Sequence, residues 1–153
     1  MNSIKLVDAT KLASQQYKAT LSDSVILTHD NKVLMQRRPE HYGAFGGVLN
    51  IFGGHVEPGE TVSEALVREL HEELGAEVNE SELLFLGALT EDITDHTEIV
   101  HVHFWHDKRA SITGCYECEP EYYLEASEAL KDPKIMDYAA WALNECVRRK
   151  LII

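Results

Sequence analysis

GHVEPGETVSEALVRELHEELGA, residues 54–76, carries the strongest structural signal in the chain. Pro58-Gly59 marks a tight turn, Pro supplying a fixed φ and Gly a positive one. Thr61 and Glu64 stand at capping-box spacing, and Gly75 suits the position just past a helix end. The stretch therefore predicts a helix over residues 62–74 with Thr61 as N-cap. On that helix Glu69, Glu72 and Glu73 fall at i, i+3 and i+4, so three carboxylates share one face. Like charges at that spacing cost roughly 0.2–0.5 kcal/mol per pair. They also occupy the last turns, where the helix dipole disfavours negative charge. Two local rules broken at one place point to function, because something outside the chain restores the balance. A hard divalent cation such as Mg²⁺ would do so, using a few carboxylates and leaving its other positions to water and phosphate. A solvated acidic stripe is the alternative, but the same arc carries Val62, Ala65 and Leu66 and turns from apolar to acidic along its length. Gly53-Gly54 ends the preceding apolar segment without side chains, so an ion or ligand can approach the backbone. Glu60 and Arg68 can be bridged by folding of the Pro58-Gly59 loop, and an Arg beside three carboxylates would orient them.

Working outward, residues 23–38 read as a hairpin: Val25, Ile26 and Leu27 run into the turn-forming His29-Asp30-Asn31-Lys32, and Val33, Leu34 and Met35 lead away. Residues 41–47 form a loop with Gly and aromatic residues, and residues 48–52 a short apolar strand that stops at Gly53-Gly54. Residues 83–89 and 98–106 are further strands. In the second, Val100, Val102 and Phe104 share one face, and Ile99, His101, His103 and Trp105 the other. Asp132-Pro133 reads as an N-cap with Pro at the first helical position. Ile135, Met136, Ala139, Ala140, Leu143, Cys146 and Val147 then recur at helical spacing up to Arg148, Arg149 and Lys150, whose charge suits a helix C-terminus. Residues 1–17 are polar and weakly patterned. With no repeat or linker, the expectation is one domain over residues 1–153, a sheet covered by helices on its faces.

Residues 54–76 resemble the Nudix box, G-x5-E-x7-R-E-U-x-E-E-x-G-U with U a bulky aliphatic. Every fixed position matches at its spacing; only Ala76 is small for the last U. The resemblance implies an α/β/α sandwich with a mixed central sheet. It makes Glu69, Glu72 and Glu73, with the Gly54 carbonyl, ligands for Mg²⁺ or Mn²⁺, and pairs Glu60 with Arg68 in a salt bridge. It further implies hydrolysis of a diphosphate linkage in a nucleoside triphosphate or nucleoside diphosphate derivative by water attack at phosphorus, with Glu69 or Glu73 as the base. Some relatives take an extra carboxylate ligand from a later segment. Here Glu117, Glu119 and Glu121 offer one, with Glu121 favoured by an E-P-E resemblance and a solvated acidic loop as the alternative.

The rest of the sequence is consistent with that reading. A net charge of −12 from 26 acidic and 14 basic residues repels polymeric nucleic acid, yet leaves room for a small nucleotide-like substrate neutralised by divalent cations. No apolar run approaches the ~18 residues of a membrane helix, and residues 1–8 lack the apolar core of a secretory signal. A cytoplasmic location with no membrane partner is expected, and a homodimer is left open. Three cysteines, an odd number, argue against a disulfide scaffold. Cys115 and Cys118 with His101 and His103 could be read as a zinc site, but one C-x-x-C falls short of four placed ligands. Arg37, Arg38, Tyr42 and Phe45 are candidate substrate contacts, Arg for phosphate and an aromatic for stacking. Two other functions are carried: a non-catalytic nucleotide-sensing module, which would be expected to lose box carboxylates, and an isoprenoid diphosphate isomerase, which needs a reactive Cys in a motif absent here.

Overall fold

Residues 4–8 and 17–153 are described by the computed structural model. The strands are β1 (Ile4–Val7), β2 (Ala19–Leu27), β3 (Val33–Arg37), β4 (Leu49–Asn50), β5 (Phe52–His55), β6 (Leu84–Glu91), β7 (Glu98–His106) and β8 (Glu119–Tyr123). The helices are α1 (Val62–Leu74), α2 (Ala126–Leu130) and α3 (Asp137–Arg148). The strands form one sheet in the order β1-β6-β7-β2-β3-β4, with β5 also on β2 and β8 on β3. β2 and β7 run parallel over nine paired positions while the other pairs are antiparallel, so the sheet is mixed.

Period-two alternation separates two cores. Val25, Leu27, Val100, Val102 and Phe104 pack with Ala139, Ala142, Leu143 and Cys146 under α2 and α3. Ile26, Leu34, Phe52 and Trp105 pack against Leu66, Leu70 and Leu74 of α1. Burial of each leucine contributes ~1.5–3 kcal/mol. Helices on both faces of a mixed sheet make the expected α/β/α sandwich. The expected capping box of α1 is present, and Gly75 ends the helix at φ 65°.

Three boundaries differ from the sequence reading. The strand expected over residues 48–52 is two strands, and Gly53-Gly54 lie inside the second instead of ending it. β2 and β3 pair only beside their turn, at Ile26–Leu34 and Leu27–Val33. Beyond that they splay, and the chain wedges between them: β4 pairs with β3 and β5 with β2. At the crossing Asn50 Oδ1 accepts the Ile51 N–H (2.9 Å), and Gln36 Nε2 donates to the Ile51 carbonyl (2.8 Å). Side chains thus replace the ladder where the strand changes partner.

Asp132-Pro133 does not start the last helix, which begins at Asp137 after Met136 as N-cap. The intervening residues are held on β4 instead: Leu49 N–H donates to the Lys134 carbonyl (2.9 Å) and Met136 N–H to the Leu49 carbonyl (3.0 Å). The polar N-terminal segment contains a missed edge strand, β1, on β6, and residues 9–16 lie outside the described region. α2 was missed as well, its five residues being too few to show periodicity.

Candidate active site

The carboxylates of α1 do not form a solvated stripe. Glu72 is half exposed, Glu69 has a side chain only 16% exposed, and Glu73 is buried. Glu73 reaches into the sheet, where Oε2 accepts the Gly53 N–H (3.2 Å). Burial first, then the charges of Asp23, Glu69 and Glu117, push its pKa up to about 9. Burial also raises that of Glu69, against the nearby Arg68, with Glu72 and Glu117 adding to the rise.

Gly53 and Gly54 are glycines for separate reasons. Gly53 sits at φ 150°, and a Cβ there would lie 2.2 Å from the Ser22 carbonyl oxygen and 2.3 Å from Asp23 Oδ1. A Cβ on Gly54 would lie 2.5 Å from the Glu69 carboxyl carbon. The Glu69 carboxylate therefore rests against bare backbone.

Arg68 ties this arrangement together. Its Nε and Nη2 grip Glu60 bidentately (2.8 and 2.9 Å), Nη1 reaches Glu69 (3.0 Å) and Glu72 (3.4 Å), and Nη2 donates to the His55 carbonyl (3.1 Å). The fork holds the Glu60 carboxyl down at about 2. One guanidinium so fixes the turn, the helix and the strand end carrying Gly54.

The segment after β7 caps α1. Thr113 and Tyr116 N–H groups donate to the Leu74 and Glu73 carbonyls, both at 2.9 Å. This brings Glu117 within electrostatic reach of Glu69 and Glu73. Glu121 is elsewhere: it takes a bidentate grip from Arg37 (2.8 and 2.8 Å) and a hydrogen bond from Tyr123 (2.6 Å). Arg37 also holds Asp132 (2.5 Å) and the Gly47 carbonyl (3.0 Å), so its donors are turned to structure and away from the cluster.

The all-oxygen set of Glu69, Glu72, Glu73, Glu117 and the Gly54 backbone suits a hard divalent cation by its chemistry, and its mutual repulsion is what such a charge would relieve. Among the described residues no group of three or more His, Cys, Asp or Glu side chains forms a ready-made metal cage. The donor set is a partial one, of the kind completed by water and substrate oxygens.

A cleft of about 220 Å³ opens on the other face of β5, next to Gly54; its lining includes His55, Arg38, Phe45, Asn50, Glu91 and Tyr138. A larger apolar hollow near the C-terminus, lined by Leu124, Val147 and Ile153 among others, is remote from these carboxylates in the sheet. Arg38 forms no ion pair among the described residues, and its guanidinium lies 5.9 Å from the centre of the Tyr42 ring. Tyr42 itself is 45% exposed. Beneath the cleft Asn50 Nδ2 donates to Tyr138 Oη (2.7 Å), which donates to Asp23 Oδ2 (2.6 Å). Asp23 is buried with Oδ1 unpartnered, and burial raises its pKa to about 7 against the Tyr138 hydrogen bond.

Asp23, Asn50, Glu91 and Tyr138 were absent from the sequence reading. A signal existed for Asp23, the one acidic residue on the apolar face that Leu21, Val25 and Leu27 define. Among the described residues Cys115, Cys118, His101 and His103 are not gathered into a zinc site: Cys118 donates to Gln36 Oε1 (2.6 Å), Cys115 to the Cys118 carbonyl (3.0 Å), and His101 and His103 pack against Phe85. All three cysteines are free.

This combination of sandwich and acidic helix defines the Nudix class of proteins. The NUDIX domain family model matches residues 18–149, and the chain belongs to that family. It is 36% identical over 83 residues to the CTP pyrophosphohydrolase of Escherichia coli K12, covering 54% of this chain and 58% of that protein. It is 42% identical over 72 residues to the ADP-ribose pyrophosphatase of Methanocaldococcus jannaschii, covering 47% of this chain and 41% of that protein. The chain thus aligns with about half the length of these relatives. The solution structure of the E. coli ORF135 protein superposes with a TM-score of 0.67 at 25% identity, covering 91% of this chain and 94% of that one. Among the described residues no helix is long and apolar enough to cross a membrane.

Proposed function

We propose that this chain is a pyrophosphohydrolase that cleaves the diphosphate linkage of a nucleoside triphosphate or nucleoside diphosphate derivative, with Mg²⁺ as cofactor and Mn²⁺ able to replace it. The observation that carries the reading is the convergence of Glu69 and Glu73 on the Gly53-Gly54 backbone within electrostatic reach of Glu117, with Glu73 raised to about 9 by burial and like charge. The relatives named for CTP and ADP-ribose hydrolysis support a nucleotide substrate.

Glu69, Glu72, Glu73 and the Gly54 carbonyl would hold the metal, with Glu117, in place of Glu121, as the added carboxylate. Bound there, the metal supplies charge neutralisation of the diphosphate and Lewis-acid activation of water. Arg68 and Glu60 act by position, keeping Gly54 and α1 in register. Arg38 contacts phosphate, and Phe45 and Tyr42 flank the organic part of the substrate. Glu69 or Glu73, whichever is ionised in the loaded site, accepts the proton of the attacking water. His55, which lines the cleft directly after Gly54, links the phosphate end to the cleft.

The test is a hydrolysis screen over nucleoside triphosphates, nucleotide sugars, ADP-ribose and dinucleoside polyphosphates. Release of a nucleoside monophosphate with Mg²⁺, its loss in excess chelator and its return with Mg²⁺ or Mn²⁺ are expected. Full turnover in chelator would remove the metal from the reading, and no turnover of any class would remove hydrolysis.

A further inference from the structure

Glu91 is the last residue of β6 and is 5% exposed. Its Oε2 accepts the Tyr138 N–H (3.2 Å) in the first turn of α3. Met136, the N-cap of that helix, makes no side-chain capping bond, so Glu91 supplies the missing acceptor from a neighbouring strand. Capping accounts for one carboxylate oxygen. The other, Oε1, makes no hydrogen bond among the described residues, and Glu91 lines both the cleft and a second hollow shared with Lys134 and Asp137. Oε1 is not among the fully buried unpartnered oxygens, so it stays open to water or to a ligand donor.

The surroundings narrow what that donor is. Tyr138, a largely buried lining residue, is bonded to Glu91 through its backbone N–H and to Asn50 through its hydroxyl. Phe45 supplies a second aromatic lining residue. The cleft volume of about 220 Å³ equals roughly seven waters at ~30 Å³ each, room for one heterocyclic base. Arg38 and His55 lie in the same cleft, and His55 adjoins Gly54 at the phosphate end. Burial, opposed by the Tyr138 N–H and aided by the charge of Asp137, raises the Glu91 pKa to about 7, and Glu91 in turn acts on the buried Asp23. Glu98, Arg38 and His55 are the other titratable groups of the cleft besides Tyr138.

We propose that Glu91 determines specificity, its cleft-facing oxygen accepting the exocyclic amino N–H of a nucleotide base and so favouring amino-bearing over oxo-bearing bases. The inference rests on the cleft being the nucleotide site. Uracil flanks its ring N–H with two carbonyls whose lone pairs would meet the carboxylate. Cytosine turns an amine to it on a ring of the same size.

Calorimetric titration with CMP and UMP in the presence of Mg²⁺ tests this, since the two probes differ in the 4-amino against the 4-oxo group. Wild type should bind CMP at least about tenfold tighter, about 1.4 kcal/mol. Glu91→Gln keeps an acceptor for Tyr138 N–H but can present an amide N–H to a carbonyl, so its ratio should fall to within about threefold of unity. Equal affinities in wild type, no measurable binding of either probe, or an unchanged ratio in a folded Glu91→Gln protein would overturn the proposal. The wild-type comparison decides even if the variant does not fold. Selective CMP binding without turnover of any nucleotide would leave this inference standing and remove the hydrolase reading alone.

Discussion

Glu73, Asp23 and Glu91 are three buried carboxyls whose pKa values rise to about 9, 7 and 7. An acid with a folded pKa above its unfolded one stabilises the fold most below the unfolded value, and that stability is lost as pH rises through the folded value. In chelator, the melting temperature should therefore fall from about pH 4.5 toward pH 9. Glu60, held near 2 by Arg68, has the opposite sign and loses its contribution only as pH falls through that value. Glu73→Gln removes the ionisation at the most strongly shifted site while keeping the side chain's shape. The variant should be the more stable in chelator at pH 9 by at least about 1 kcal/mol, one pKa unit's worth. With Mg²⁺ the order should reverse, because wild type gains binding free energy that the variant largely lacks. Paired melts across pH, with and without Mg²⁺, check both statements. Identical curves for the two proteins would return Glu73 to a passive role.

At the scale of elements, α1 and β5 act as one unit because Glu69 lies against a residue without a side chain. Gly54→Ala would put a Cβ 2.5 Å from the Glu69 carboxyl carbon, where real Cβ atoms essentially never sit, so the carboxylate must move. Activity should drop at least 100-fold, since displacement by an ångström suffices for that. Circular dichroism should stay native, and a variant with wild-type turnover would show that Glu69 needs no contact with the backbone. The core side of the same helix answers differently. Leu70 is fully buried, and Leu70→Ala should cost about 2–5 kcal/mol in denaturant unfolding. Its effect on kcat under folding conditions should be small. These substitutions separate what the helix positions from what it packs.

Across the whole molecule, two adjacent arginines divide between architecture and site. Arg37 joins β3, β8, the loop before β4 and the segment between α2 and α3 through Glu121, Gly47 and Asp132. With each of these side chains at most one-third exposed, Arg37→Ala should cost about 2–3 kcal/mol of stability and leave KM near wild type. Arg38 forms no ion pair among the described residues and lines the cleft. Arg38→Ala should raise KM about tenfold or more with little change in melting temperature. Melts and steady-state kinetics on both variants would reveal an exchange of these roles. The splay of β2 from β3 makes the division, because it sends the wedged chain and its cleft to one side of β3 and β8 to the other.

Legible in the sequence were the capped helix, the partner of Arg68 and the face pairing of β7, which follow from capping spacing, strand alternation and carboxylates packed too densely for an isolated helix. The mixed sandwich was legible only through the resemblance to the Nudix box. Only the tertiary structure decided that Glu73 is buried while Glu72 is not, since burial depends on which strand meets the helix. It also decided that Arg37 and Glu121 belong to each other, 84 residues apart in sequence. The same holds for Asp23, Asn50, Glu91 and Tyr138, which come from four separate elements and meet only where β4 and β5 change strand partners. Local propensity cannot report such encounters, because the physical cause is a register set between strands far apart in the chain. The displaced start of α3 has that origin too. Asp132-Pro133 has the composition of a helix start, but hydrogen bonds to Leu49 hold the following residues extended against the sheet.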